Sequence, residues 1–185
     1  YEVDQPREAR AELDAGIALY PKNTSLLELK AEKEYQAKNV LQAIDLYRKI
    51  KENNPTYEPS YLRLAELLDE DGNPDEAGSV LEAGIENVYD KMSLMEKAAR
   101  FHAKKGNNHK AKSYFEQILK DDPGRADLKL RFAVLLKELG SDKDALKYFK
   151  ELDESNSLSP KQEIVYAEVL HKLDMLQEAL DVLDC

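Results

Sequence analysis

The chain has 185 residues, 42% of them apolar, which is enough for one sizeable core in a single domain or repeat array. Its 27 Lys+Arg against 37 Asp+Glu leave a net charge of −10, which argues against non-specific nucleic-acid binding. The longest apolar run, Phe132 to Leu136, is far short of the ~20 residues of a membrane span, and a lone Cys185 can build neither a disulfide frame nor a thiolate zinc site, so a soluble chain without membrane insertion is expected.

The first predicted element is a helix over about residues 6–19, with Ala9 and Leu13 one turn apart and Pro21 beyond its end. Residues 24–57 then hold two helices: Ala31 marks the first, Ala43 and Tyr47 the second, Asn39 lies between them and Pro55 follows. Residues 58–91 repeat the plan with Ala65, then Gly72, Asn73 and Pro74, then Ala77 and Leu81, with Tyr89 in the proline place. Residues 92–125 carry Ala99, Gly106, Asn107, Ala111, Phe115 and Pro123 at the same spacing. Residues 126–159 carry Ala133, Gly140, Ser141, Ala145 and Phe149, with Ser157 last. A final unit runs from Pro160 through Ala167, Ala179 and Leu183 to Cys185.

Two alanine ladders therefore run through the chain 34 residues apart, one on each helix of a pair, and the large residue one turn after the second alanine completes the pattern. Alanine at such places lets antiparallel helices approach closely, while Tyr47, Phe115 and Phe149 fill the space toward the next unit. Glycine supplies the left-handed residue that ends the first helix, and Asn39, Asn73, Asn107 and Ser141 are suited to cap the second with a side-chain oxygen. This pattern resembles the tetratricopeptide repeat (TPR) family over essentially the whole chain. The resemblance implies an all-α fold, a right-handed α-α superhelix (solenoid) of 34-residue helix-turn-helix units, with first helices making a concave inner face. It also implies one array over residues 1–185: a lone second helix at 6–19, repeats at 24–57, 58–91, 92–125 and 126–159, and a partial repeat at 160–185. The chain departs from the family in having no Trp, and in placing Lys129 and Glu163 where Leu27, Tyr61 and Met95 stand in earlier repeats. Leu180, Val182 and Leu183 are expected to be partly uncovered, as in a fragment of a longer array that can associate end to end.

The residues of a catalytic pocket do not converge. His102 and His109 fall on different helices without a ligand motif, so a solvated or half-buried histidine is expected at each, and no phosphate-binding glycine motif is present. Asp69-Glu70-Asp71 lacks the alternating ligands of a calcium loop and reads as a solvated helix end. Neither enzymatic activity, nor a cofactor, nor a metal is expected. Of the tyrosines, Tyr35 is the one placed for the inner face.

Charge is distributed unevenly. Residues 1–90 hold 10 Lys+Arg and 20 Asp+Glu, residues 91–150 hold 15 and 8, and residues 151–185 hold 2 and 9. Within the basic middle, Lys97, Arg100 and Lys104 share one stripe of a first helix, while Arg63, Lys97 and Arg131 recur every 34 residues at a position the family turns toward its groove. These five residues are the candidate ligand-binding site, a concave basic patch for a protein or peptide segment of acidic character. The family's two-carboxylate clamp for chaperone tails is not reproduced, because Glu28, Glu32, Leu62 and Glu66 stand in its places. A non-catalytic protein-interaction scaffold is the main reading. Its rivals are a segment of a bacterial envelope or polysaccharide-export machine, where the ligand is an anionic polymer, and a substrate-reading appendage of an enzyme domain.

Overall fold

A computed structural model describes residues 5–183, with side chains from residue 9 onward; Cys185 lies outside the described residues. Eleven α-helices account for the described chain: α1 (Gln5–Leu19), α2 (Thr24–Gln36), α3 (Val40–Asn53), α4 (Glu58–Glu70), α5 (Pro74–Asn87), α6 (Met92–Lys104), α7 (Asn108–Asp121), α8 (Ala126–Glu138), α9 (Asp142–Glu154), α10 (Pro160–Lys172) and α11 (Leu176–Leu183). First helices begin at Thr24, Glu58, Met92, Ala126 and Pro160, and second helices at Val40, Pro74, Asn108, Asp142 and Leu176, each series advancing by 34 residues. The helices fall into two compact units, residues 1–98 and 99–185.

In the first unit the helices pack in sequence, α1 on α2, α2 on α3, α3 on α4 and α4 on α5. Ala31, Ala43, Ala65 and Ala77 are all buried, and around them Leu27, Ile44, Tyr47, Ile50, Leu64 and Leu81 form the core. Ala9, the first rung of the ladder, is exposed, so the close approach expected at every rung is absent there. In the second unit α7 packs on α8, α8 on α9, α9 on α10 and α10 on α11. Its core is aromatic: Phe115 stacks on Phe132 at 5.3 Å between ring centroids, Phe132 meets Tyr148 at 5.1 Å, and Phe149 stacks on Tyr166 at 5.5 Å. Phe115 and Phe149, each one turn after a second-helix alanine, thus reach the first helix of the following repeat. Leu176, Leu180 and Leu183 of α11 are more than half exposed.

Turns between paired helices follow one scheme. Gly72, Gly106 and Gly140 take φ of +84°, +76° and +71°, and Lys38 and Asp174 hold the same place at +67° and +60° without being glycine. The next residue then returns its N–H to the carbonyl five positions earlier: Asn73 to Leu68, Asn107 to His102, Ser141 to Leu136. Asn39, Asn73, Asn107 and Ser141 do precede the second helices, but none makes the expected side-chain cap. The asparagine amides turn back instead, Asn39 donating to Glu34 at 2.7 Å and Asn73 to Asp71 at 2.9 Å. The tight turn that ends one helix points these side chains away from the start of the next.

Candidate functional site

The candidate cations divide between the two units: Arg63 and Lys97 belong to the first, Arg100, Lys104 and Arg131 to the second. In the first unit Arg63, on α4, is held from two sides. Its Nε and Nη2 donate to the two oxygens of Glu32 on α2 at 2.9 and 3.2 Å, and its Nη1 donates to Glu66 at 3.2 Å. Its guanidinium also lies 4.5 Å from the ring centre of Tyr35, whose hydroxyl donates to Glu70 at 3.0 Å. Lys97 of α6 donates to the other oxygen of Glu66. Tyr35 therefore does sit beside a candidate cation, as a platform under Arg63.

These pairings neutralise much of the positive charge of the first unit's candidates. The bidentate hydrogen bonds from Arg63 hold the Glu32 carboxyl below the ordinary glutamate range, against the opposing effect of burial, and Tyr47 adds a hydrogen bond to the same group at 2.7 Å. At Glu66 burial acts to raise the pKa, but Lys97 and Arg63 together outweigh it and leave the carboxyl lowered. A carboxyl lowered on folding contributes stability above its unfolded pKa, roughly 4.3, and that contribution is lost as pH falls through the folded value. Acid is therefore expected to loosen residues 24–98. Amide protection relative to the intrinsic exchange rate at each pH should fall in α2 and α4 at pH 3.5 compared with pH 6, and Glu32→Gln with Glu66→Gln should remove most of that pH dependence.

In the second unit α6, α8 and α10 line a groove of about 580 Å³. Arg100, Lys104 and Arg131 stand on it with Asp127, Glu138 and Gln162, over a floor that includes Leu130, Val134, Leu135 and Val165. Asp127 is held by Arg125 at 2.9 and 3.0 Å and lies 3.9 Å from Arg100. The Arg125 hydrogen bonds keep its carboxyl below the usual aspartate range. Arg131 is exposed, and its side chain makes no hydrogen bond or ion pair among the described residues. Gln162, which the sequence reading did not single out, enters the groove from the first turn of α10, where its carbonyl accepts from the Ser159 N–H at 2.8 Å.

Elsewhere the chemistry is structural. His102 is buried, not solvated or half-buried as expected, and stacks on Tyr114 with ring centroids 6.0 Å apart; its place on α6 faces the packed side of the helix. His109 and His171 are exposed. Among the described residues no cluster of three His, Cys, Asp or Glu side chains could hold a metal, and no helix is long and apolar enough to cross a membrane. Lys129 fills the place of a large apolar residue with its stem and pairs its ammonium with Glu151 at 2.6 Å, which keeps a charge tolerable at a half-buried position.

Tetratricopeptide repeat models match residues 1–58 and 102–164. Among solved structures the MamA protein is similar with a TM-score of 0.73 at 12% identity, covering 87% of this chain and 88% of that one. YrrB, described as a TPR protein with an unusual peptide-binding site, is similar with a TM-score of 0.73 at 14% identity over 93% of this chain and 89% of its own. PilF of Pseudomonas aeruginosa gives 0.69 at 16% identity over 94% and 78%. At such identities the likeness is one of fold, the helix-turn-helix solenoid. No curated protein matches the chain in sequence.

Proposed function

Because the chain belongs to the tetratricopeptide repeat family, we propose that it is a non-catalytic scaffold that binds an acidic segment of another protein on its first-helix face. The 34-residue phase continues through both compact units, so residues 1–185 are read as one array with repeats at 24–57, 58–91, 92–125, 126–159 and from 160. The ligand-facing cations are Arg63, Lys97, Arg100, Lys104 and Arg131. Arg63 and Lys97 are already paired to Glu32 and Glu66, so they offer little net charge to a ligand. Direct contact falls to the second unit.

The observation that carries this reading is the groove on α6, α8 and α10, where three cations stand over an apolar floor. Such a surface suits an extended segment that presents carboxylates at its rim and buries aliphatic side chains beneath them. The peptide-binding site described for YrrB supports a peptide ligand on this fold. Acidic residues elsewhere on the chain repel the same ligand, so electrostatics set its register and association rate more than its affinity.

The test compares two triple variants of equal charge, using a fluorescent dodecapeptide of alternating Asp and Leu as probe. Arg100→Gln, Lys104→Gln and Arg131→Gln together should weaken binding at least about tenfold, or about 1.4 kcal/mol. Lys110→Gln, Lys112→Gln and Lys147→Gln on second helices should leave it within about twofold. Binding of the parent protein should also fall as salt rises, since exposed charges are screened over ~10 Å at 0.1 M. Equal losses in the two variants would reduce the site to bulk charge.

A further inference from the structure

The ion pairs of the first-helix face form a ladder with one step. In the first unit a cation pairs with the acid 31 residues before it, Arg63 with Glu32 and Lys97 with Glu66. In the second unit the same step leads from Arg131 to Arg100 and from Val165 to Val134, and all four residues line the groove. The acid is thus replaced by a second arginine at one rung, and the whole charge pair by two valines at the next. Arg131, unlike its counterparts Arg63 and Lys97, is left without a carboxylate among the described residues.

We propose that the Arg100–Arg131 rung is a seat for one carboxylate of the ligand and that the Val134–Val165 rung beside it is an aliphatic slot. This rests on the acidic-segment reading above and gives it a recognition rule. A guanidinium fork matches a carboxylate with two parallel hydrogen bonds, as Arg63 already does with Glu32, and a ligand carboxylate supplies Arg131 with the partner that position 100 does not. Asp127 does not serve Arg131: it is held by Arg125 at 2.9 and 3.0 Å and forms a looser ion pair with Arg100 at 3.9 Å. The two valines themselves present only methyl groups, so an aliphatic ligand side chain gains more against them than a polar one, which would give up water for apolar contact. Adjacent rungs are one repeat step apart, on the order of 10 Å between packed helices, and an extended segment advances about 3.3 Å per residue. The rule is therefore an Asp or Glu with an aliphatic residue about three positions away.

The probe is a labelled dodecapeptide of three Asp-Ser-Ser-Leu blocks, with one control in which Asn replaces Asp and another in which Ser replaces Leu. Both controls should bind at least about tenfold more weakly than the probe. Arg100→Glu should weaken the probe by about tenfold or more, leave the Asn control unchanged, and keep the helical signal and melting temperature of the parent, because the carboxylate so placed completes the ladder with Arg131. Arg131→Gln, which cannot form that pair, should also weaken the probe. If the probe binds and Arg100→Glu and Arg131→Gln bind it as the parent does, the carboxylate seat is wrong while the scaffold reading stands. Equal binding of the Ser control would remove the aliphatic slot. Failure of probe and controls alike to bind the parent protein at millimolar concentration overturns both the rule and the acidic-segment reading beneath it.

Discussion

Phe132→Ala is expected to destabilise residues 99–185 by about 3–5 kcal/mol, the usual cost of truncating a fully buried phenylalanine. Phe132 is 1% exposed and joins two repeats at once, stacking on Phe115 of α7 and meeting Tyr148 of α9. Removing the ring leaves a void bounded by other rings, which are too stiff to collapse into it. Stability in an array is shared between neighbours, so the loss should appear as early melting of α7 to α9 and not as a uniform shift. Urea unfolding followed by amide exchange measures it. A loss below about 1 kcal/mol would mean that the aromatic stack is not the core of this unit.

Gly84→Ile should cost about 3 kcal/mol, the upper end for overpacking, and Tyr61→Leu in the same chain should recover much of it. A Cβ at position 84 would lie 2.9 Å from Tyr61 Cγ, 3.0 Å from its Cβ and 3.1 Å from a Leu94 methyl. The neighbouring repeats show why the pair compensates. Ile50 and Ile118 occupy the place of Gly84, and Leu27 and Met95 occupy the place of Tyr61, so one repeat trades a large second-helix residue for a large first-helix ring. The recovery is incomplete because leucine keeps the Cβ that stands 3.0 Å away and must turn its Cγ aside, and because Tyr61 also donates a 2.8 Å hydrogen bond to the Pro55 carbonyl, worth about 1 kcal/mol. A double-mutant cycle on urea midpoints reads the coupling; additive losses would show that the two side chains do not share one volume.

Helix positions were legible because each 34-residue unit carries its own punctuation, and small residues at fixed phase have few uses other than close packing. The Tyr61–Gly84 exchange was not, since each residue taken alone looks like a departure and only their contact shows one compensated volume. Cap chemistry is illegible for a similar reason: Asn73 and Asn107 have the right residue type at the right position, after a left-handed glycine, yet neither side chain caps the helix that follows. The candidate cations were readable from charge phase. Their partners were not, because Glu32 and Glu66 lie 31 residues before the cations they hold, a separation that acquires meaning only when first helices lie side by side. For the same reason the break in that ladder at Arg100 has no signature in local sequence.

The central claim is that an acidic segment binds the groove on α6, α8 and α10. Amide chemical shifts of the labelled protein, followed through a titration with the Asp-Leu dodecapeptide, test it most directly. The account predicts that the largest saturable shifts fall at Arg100, Ala103, Leu130, Arg131, Val134 and Val165, with little change along α7 and α9. Shifts concentrated on Lys110, Lys112 and Lys147, or spread evenly over every lysine and arginine, would contradict it.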